Sequence, residues 1–458
     1  MRVTRRHLEA VVLAAVVVTA GTGVYVVDRA PTPTATFVGG TASGEQPTRP
    51  SVPTRIRALH QRGITGANAT VGIVVVTRIN ADHPELRPRI VERRSFRRDP
   101  AGQPRGRHGT AAALTVAAIA PDAELLVATV DTPTDARRAI EWLTARGTDV
   151  LLVPATVLGA PGDGTGTVAS AVERAADRGT VVVAPTGNLA RNHWQGRLTP
   201  TRRGLHSFGG DVRMRLLPPV GAGTQAGGRV QARLRWNGSA YPRDLTLELY
   251  RSGASGVTRI ATSERTRTGS VRVERLDARV RPGDLFVAVR LPNRTVRRFE
   301  PLPVRIEVTT RRHRLLNATP AGSVASPATA PSALSVGAAA PDDAGLAPYS
   351  SRGPTPDGRR GVDVVAPPTV WAGPRDGTSA AAAYAAGAAA LIISEADTSS
   401  PERVITLLCD TAVDVPPAGA DAESGYGRLN ATGAVERIEA PKGRTEDSQP
   451  RTKPHTRC

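Results

Sequence analysis

Between residues 69 and 186 the chain alternates short, uninterrupted apolar runs with longer segments of helical period. The runs "ATVGIVVV", "AELLVATV", "DVLLVPA" and "TVVVAP" are rich in Val and Leu and show no polar alternation. Between them lie "AAALTVAAIA", "DARRAIEWLTARG" and "TVASAVERAADRG". A strand that is apolar on both faces must be covered on both faces, and strand–helix–strand order makes neighbouring strands parallel. The pattern predicts an α/β protein built on a doubly wound parallel sheet. Only 3% of residues are aromatic, so Ala and Val must fill its core, which requires close helix–sheet packing.

From residue 206 to 312 the helical period disappears. "RVQARLRW", "LTLELYR", "VRVERL", "LFVAVRL" and "VRIEV" alternate apolar and polar residues between Gly, Pro or Asn, the pattern of half-buried antiparallel strands. This predicts an all-β, sandwich-like insertion. The α/β texture returns at 313 with "ALSVGAAA", "VDVVAP", an Ala-rich helix and "PERVITLLCDTA". The expected organisation is an α/β domain split into 49–205 and 313–438 by a β domain at 206–312. A polar tail, 439–458, follows with the composition of a disordered segment.

Residues 1–48 form a separate unit. Basic residues that include Arg5 and Arg6 precede an apolar run from Ala10 to Val27, and a Pro/Thr/Gly-rich linker follows. A signal peptide and a retained membrane anchor, over residues 8–27, both fit. Either places the bulk of the chain outside the cytoplasm, secreted or attached to the cell membrane. The formal net charge is +19. The arginines are scattered and little interleaved with aromatic residues, and no nucleic-acid motif is present, so no nucleic-acid partner is expected. The two cysteines, Cys409 and Cys458, exclude a disulfide framework, and a bridge between them is not expected. Oligomeric state is not readable.

Three loci carry groups suited to chemistry. His108, in "RHGTAAALTVAAIA", opens a helix of small residues. Asn188, in "TVVVAPTGNLA", follows a buried strand at the sheet edge where ligands bind in open α/β folds. Ser379, in "DGTSAAAAYAAGAAALI", sits where a loop enters a helix, with backbone N–H groups pointing past it. Each has a bland reading, respectively a helix-start histidine, a Gly-Asn turn and a helix N-terminus. Together they supply a hydroxyl nucleophile, a base and an oxyanion donor, the set that acyl transfer requires.

Those segments resemble the subtilisin-like serine peptidases. "HGT" followed by "APDAELL" resembles the family's His segment, "VVVAPTGN" its oxyanion segment, and "GTSAAAAYAAGAAAL" its nucleophile helix. "YSSRGPTPDGRRGVDVVAP", Tyr349 to Pro367, and "SGYGRLNATGAV" resemble the stretches on either side of that helix. The resemblance implies a doubly wound parallel sheet with Ser379 as nucleophile, His108 as general base and Asn188 as oxyanion donor, acting on peptide or protein substrates. It implies no organic cofactor. Ca²⁺ sites are common in the family, and no cluster here is assignable to one.

The chain departs from the family pattern at its first motif. "TVGIVVVTRINADHPEL" keeps Thr77 and His83-Pro84-Glu85-Leu86, but the position of the acid falls on Val75 or Val76 and Arg78 replaces a glycine. Ala383 and Tyr384 replace a Pro and a His after the serine. In subtilisin itself, loss of the acid alone costs about 3 × 10⁴ in kcat. Asp131, at the end of "LLVATVD", and Asp82 are the candidate substitutes, and Asp131 also reads as a helix N-cap in "DTPTD". Two functions follow. One is an exported serine endopeptidase with weak or altered activity. The other is a pseudoprotease that binds peptide or protein segments without cleaving them.

Overall fold

The structure, a computed structural model, describes residues 36–38, 52–99, 107–237, 244–268, 271–292, 301–340, 345–368, 377–396 and 400–439. The expected signal or anchor at 8–27 and the polar tail lie outside the described residues.

The first α/β part runs β1 (Thr36–Val38), α1 (Thr54–Gln61), β2 (Thr70–Val75), β3 (Ile90–Ser95), α2 (His108–Ile119), β4 (Glu124–Thr129), α3 (Pro133–Ala145), β5 (Val150–Leu152), β6 (Thr156–Leu158), α4 (Thr167–Ala176) and β7 (Val181–Pro185). The inserted part runs β8 (His193–Arg197), β9 (Met214–Leu217), β10 (Ala226–Asn237), β11 (Thr246–Gly253), β12 (Gly256–Thr262), β13 (Glu264–Thr268), β14 (Val271–Arg290), β15 (Arg305–Thr310) and β16 (Arg314–Leu315). The second α/β part supplies β17 (Ala333–Ala338), β18 (Val364–Ala366), α5 (Gly377–Glu395), α6 (Pro401–Asp410) and α7 (Ala431–Glu439).

Seven strands form one parallel sheet in the order β18-β17-β7-β5-β2-β4-β3. The apolar runs of the sequence become its inner strands. β3, "IVERRS", is mostly exposed, and a charged edge of this kind resists pairing with another chain. β4 and β5 flank β2 on opposite sides, so the winding switches direction at the carboxyl end of β2, the usual place for a ligand crevice. One face of the sheet packs against α1, α2, α5, α6 and α7, and the other against α3 and α4. Along β2, Val71, Ile73 and Val75 point to the first face and Val74 to the second.

α2 and α5 follow parallel strands and run side by side on one face. Their approach is close because Gly387 lacks a side chain, and a Cβ there would lie 2.6 Å from the Cβ of Ile119. An alanine in a helix interior ordinarily gains about 1 kcal/mol over glycine. In Gly387→Ala the overlap outweighs that gain, and a net loss of about 1–2 kcal/mol is expected from urea unfolding. Unchanged or raised stability would contradict the packing described.

In the insertion, "VRVERL" and "LFVAVRL" form one bent strand, β14, rather than two. Its first half pairs with β10 and its second with β11. A register shift opposite Ala226–Gly228 changes which residues face inward, from Leu276, Ala278 and Val280 to Leu285, Val287 and Val289. Both halves thus feed one core, and the sheet folds over itself as a sandwich. The antiparallel sheet also takes in β8, upstream of the boundary expected at 206, because His193–Arg197 pairs with β15.

Cys409 is buried in the core with α6. The expectation that no bridge joins Cys409 to Cys458 falls on a residue outside the described ones. Among the described residues only Gly377–Glu395 is long and apolar enough to cross a membrane, and it is buried in the core.

Candidate functional site

The C-terminal edge of the parallel sheet gathers the three loci. β2 ends at Val75, fully buried, on the face that carries α2. A Cβ on Gly109 would sit 3.1 Å from Val75 Cβ, so Val75 touches the backbone beside His108. Val76 is half-buried and packs against the opposite core. Of the two valines, Val75 is therefore the one beside His108. Thr77 Oγ1 accepts a hydrogen bond from the Gly109 N–H at 2.9 Å, and Thr110 Oγ1 accepts one from the Asn80 N–H at 2.9 Å. These two bonds tie the loop after β2 to the first turn of α2.

His108 is the first residue of α2 and is 2% exposed. Neither ring nitrogen has a hydrogen-bond partner among the described residues. Burial without a compensating charge pushes its pKa down to about 4, so the imidazole is neutral at physiological pH.

The proposed substitute acids lie elsewhere. Asp131 is exposed and pairs with Arg97, with Nη1 to Oδ1 at 3.2 Å. It is not the helix cap either. Thr132 caps α3 in a reciprocal box with Asp135, whose N–H donates to Thr132 Oγ1 at 3.1 Å while its Oδ2 accepts from the Thr132 N–H at 3.0 Å. Asp82 is exposed in the loop after β2. Neither carboxylate is bonded to His108.

Asn188 lies three residues past β7. Its Oδ1 accepts from the Thr378 N–H and from Thr378 Oγ1, both at 3.0 Å. With the oxygen held beside the serine, Nδ2 is left to donate. Gly377 makes this approach possible. Its φ is +58°, and a Cβ there would lie 2.4 Å from Asn188 Nδ2. Ser351 braces the same loop, because its Oγ accepts from the Leu189 N–H at 3.1 Å and its N–H donates to Gly187 O at 2.8 Å. Thr378 and Ser351 were not singled out as functional from sequence. The "YSSRGP" stretch was the available signal for Ser351, but its partner lies 162 residues away.

Ser379, 6% exposed, stands in the first turn of α5. Its Oγ donates to Pro154 O at 3.0 Å, not to His108. Pro154 follows β5 on the same edge, and two residues later β6 begins. Val157 N donates to Ser326 O on one side of β6, while the other side pairs antiparallel with β1, Thr36 opposite Leu158 and Val38 opposite Thr156. The insertion backs the loop after β6. Cβ atoms on Gly159 and Gly162 would lie 3.3 Å from Val273 Cγ1 and 3.2 Å from Arg235 Nη2. The residues at the departures after the serine, Ala383 and Tyr384, are buried in the core as part of α5. Among the described residues no group of three His, Cys, Asp or Glu side chains is placed to hold a metal ion.

The profile of the subtilase family matches residues 310–427, a stretch that contains Ser379 and "YSSRGP" but not His108 or Asn188. Among solved structures, the CspB protease of Clostridium perfringens superposes with a TM-score of 0.59 at 14% identity, over 86% of this chain and 97% of that one. MycP1 with its N-terminal propeptide removed is similar at TM-score 0.45 and 18% identity, over 84% and 96% of the two chains. The prenylagaramide maturation protease PagA is similar at TM-score 0.47 and 15% identity, over 84% and 98%. At these identities the likeness concerns the fold, and only the first superposition is close enough to bear weight. The fold is that of the subtilisin-like proteases, carrying an extra antiparallel sheet.

Proposed function

We propose that this chain is a member of the subtilase family and an exported serine endopeptidase of low turnover. Ser379 Oγ attacks the peptide carbonyl, His108 takes its proton, and Asn188 Nδ2 with the N–H groups at the start of α5 receives the oxyanion. One observation carries this reading: Asn188 Oδ1 accepts from Thr378 N–H and Oγ1, which fixes the side-chain amide next to the nucleophile and leaves Nδ2 free to donate. An oxyanion donor pinned this way is preorganised, and a donor of this kind is worth about 10²–10³ in kcat. Turnover is low because Val75 leaves the imidazolium that forms on His108 without a charge partner.

The peptide substrate adds as a strand to β6. The chain's own β1 supports that reading, since it already lies antiparallel on that strand, two residues from the carbonyl that holds Ser379 Oγ. Export is supported by the apolar run at 8–27 that follows basic residues.

A second reading, binding without cleavage, is favoured by the resting serine, which donates to Pro154 O while both nitrogens of His108 are unpartnered. Labelling with a fluorophosphonate separates the two. The peptidase reading expects slow covalent labelling that disappears in Ser379→Ala and quickens when residues before 49 are removed, since β1 then no longer occupies β6. Folded protein that takes no label in either form would leave the binding reading.

A further inference from the structure

The insertion contains a cleft of about 550 Å³ that the proposed peptidase chemistry does not use. It is lined by Arg229, Gln231, Arg311, Arg312 and His313, with the backbone of Gly227 and its neighbours closing one side. The charges around it do not balance. Asp277 is the carboxylate that reaches the group, and its oxygens are already taken. Arg229 grips both, Nε to Oδ1 at 2.8 Å and Nη2 to Oδ2 at 3.0 Å. Gln231 Nε2 and Arg275 Nη2 also donate to Oδ2, at 2.7 and 3.1 Å. Arg311 is left with a neutral partner, the Gln231 side-chain oxygen at 2.9 Å. Among the described residues neither Arg311 nor Arg312 has a carboxylate partner. Burial lowers the Arg311 pKa, and repulsion from Arg312 and Arg229 lowers it further, as expected for a cation held among cations.

His313 adds a second, independent feature. Its side chain is 2% exposed, and Nε2 lies 2.9 Å from Gly227 O. A carbonyl only accepts, so the proton sits on Nε2 and Nδ1 presents a lone pair. That nitrogen is buried and has no partner. A buried polar group without a partner costs about 1–3 kcal/mol, and a ligand that supplies the missing donor recovers it. The cleft therefore offers cationic donors for anionic oxygens, and one of its lining residues, His313, holds an unpartnered acceptor.

We propose that this cleft binds a monohydrogen phosphate group, as inorganic phosphate or as the head of a small phosphate monoester. The unprotonated oxygens accept from Arg311 and Arg312, and the P–OH donates to His313 Nδ1. A cleft of this volume has room for the organic part of an ester as well. Sulfate matches phosphate in shape but carries no hydroxyl near neutral pH, so the site should distinguish the two.

The test uses the full chain at constant ionic strength, titrated by calorimetry with inorganic phosphate, glycerol phosphate and sulfate, and chloride as the blank. Phosphate should bind about tenfold or more tightly than sulfate. Tighter binding of glycerol phosphate than of phosphate would identify the ester as the ligand, and the reverse would identify the free ion. Arg311→Gln and the exposed Arg312→Gln should each weaken phosphate about tenfold or more. His313→Gln keeps a donor for Gly227 O and removes the acceptor, so it should abolish the preference over sulfate. Equal binding of phosphate and sulfate by the wild-type chain, or phosphate binding that Arg312→Gln leaves unchanged, would overturn the proposal.

Discussion

Replacing Val75 by aspartate should raise the rate of fluorophosphonate labelling at Ser379 by roughly 10²–10⁴-fold, up to the factor that the acid supplies in subtilisin. The expectation rests on position. Val75 faces α2 and touches Gly109, next in the chain to His108. A carboxylate there lies beside an imidazole that has no partner on either nitrogen. It would accept from one ring N–H, set the tautomer and stabilise the imidazolium as the serine gives up its proton. The His108 pKa should rise from about 4 toward its ordinary range, so labelling by the variant should acquire a limb that climbs with pH.

The substitution has a cost. Val75 is fully buried, and an aspartate that failed to find His108 would lose about 2–4 kcal/mol of stability. Val76→Asp is the control, because Val76 packs against the other face of the sheet and cannot reach the ring. A gain confined to Val75→Asp means that the remaining machinery is intact and lacks only the acid. Equal labelling of folded Val75→Asp and wild type would sink the assignment of His108 as base.

The parallel sheet was legible because each strand announced itself locally. A run such as "TVVVAP" needs no distant partner to be read as buried on both faces. The same uniformity hid the site's decisive detail. In "IVVV" all residues are apolar, so no alternation tells which valine faces α2. That followed only once α2 and α3 were seen on opposite faces. Asp131 sits at the right end of β4, yet its partner is Arg97, from the segment after the neighbouring edge strand. The serine hydroxyl bonds a carbonyl 225 residues away. Segments of mixed pattern were missed or misread for the same reason. β8, "HWQGR", carries little alternation and is a strand because β15 pairs with it, and β14 is continuous because its bend is covered on both halves by other strands.

The buried histidine also makes the fold sensitive to acid. His108 has an ordinary pKa of 6.5 in the unfolded chain and about 4 in the folded one. The unfolded chain therefore binds the proton first as pH falls. Stability is full above pH 6.5, declines as pH drops toward 4 and levels off below it. The displacement corresponds to about 3 kcal/mol at the lower end. His206, buried and likewise pushed down to about 4, acts in the same direction. Asp363 acts in the opposite direction, because burial raises its pKa to about 6 and its folded form holds a proton that the unfolded form has lost. Despite its burial, Glu307 is held near 2 by Arg235, and it acts in the same direction as His108 once the pH falls below its ordinary value of 4.5, where the unfolded chain takes up the proton first. The total slope mixes these groups, but a difference between variants isolates one. Urea unfolding of wild type and His108→Gln at pH 7.5 and pH 4.5 should show the variant losing about 2–3 kcal/mol less across the interval. Parallel losses in the two proteins would mean that His108 finds a proton or a partner in the folded state, and the orphaned imidazole on which the low turnover rests would have to be abandoned.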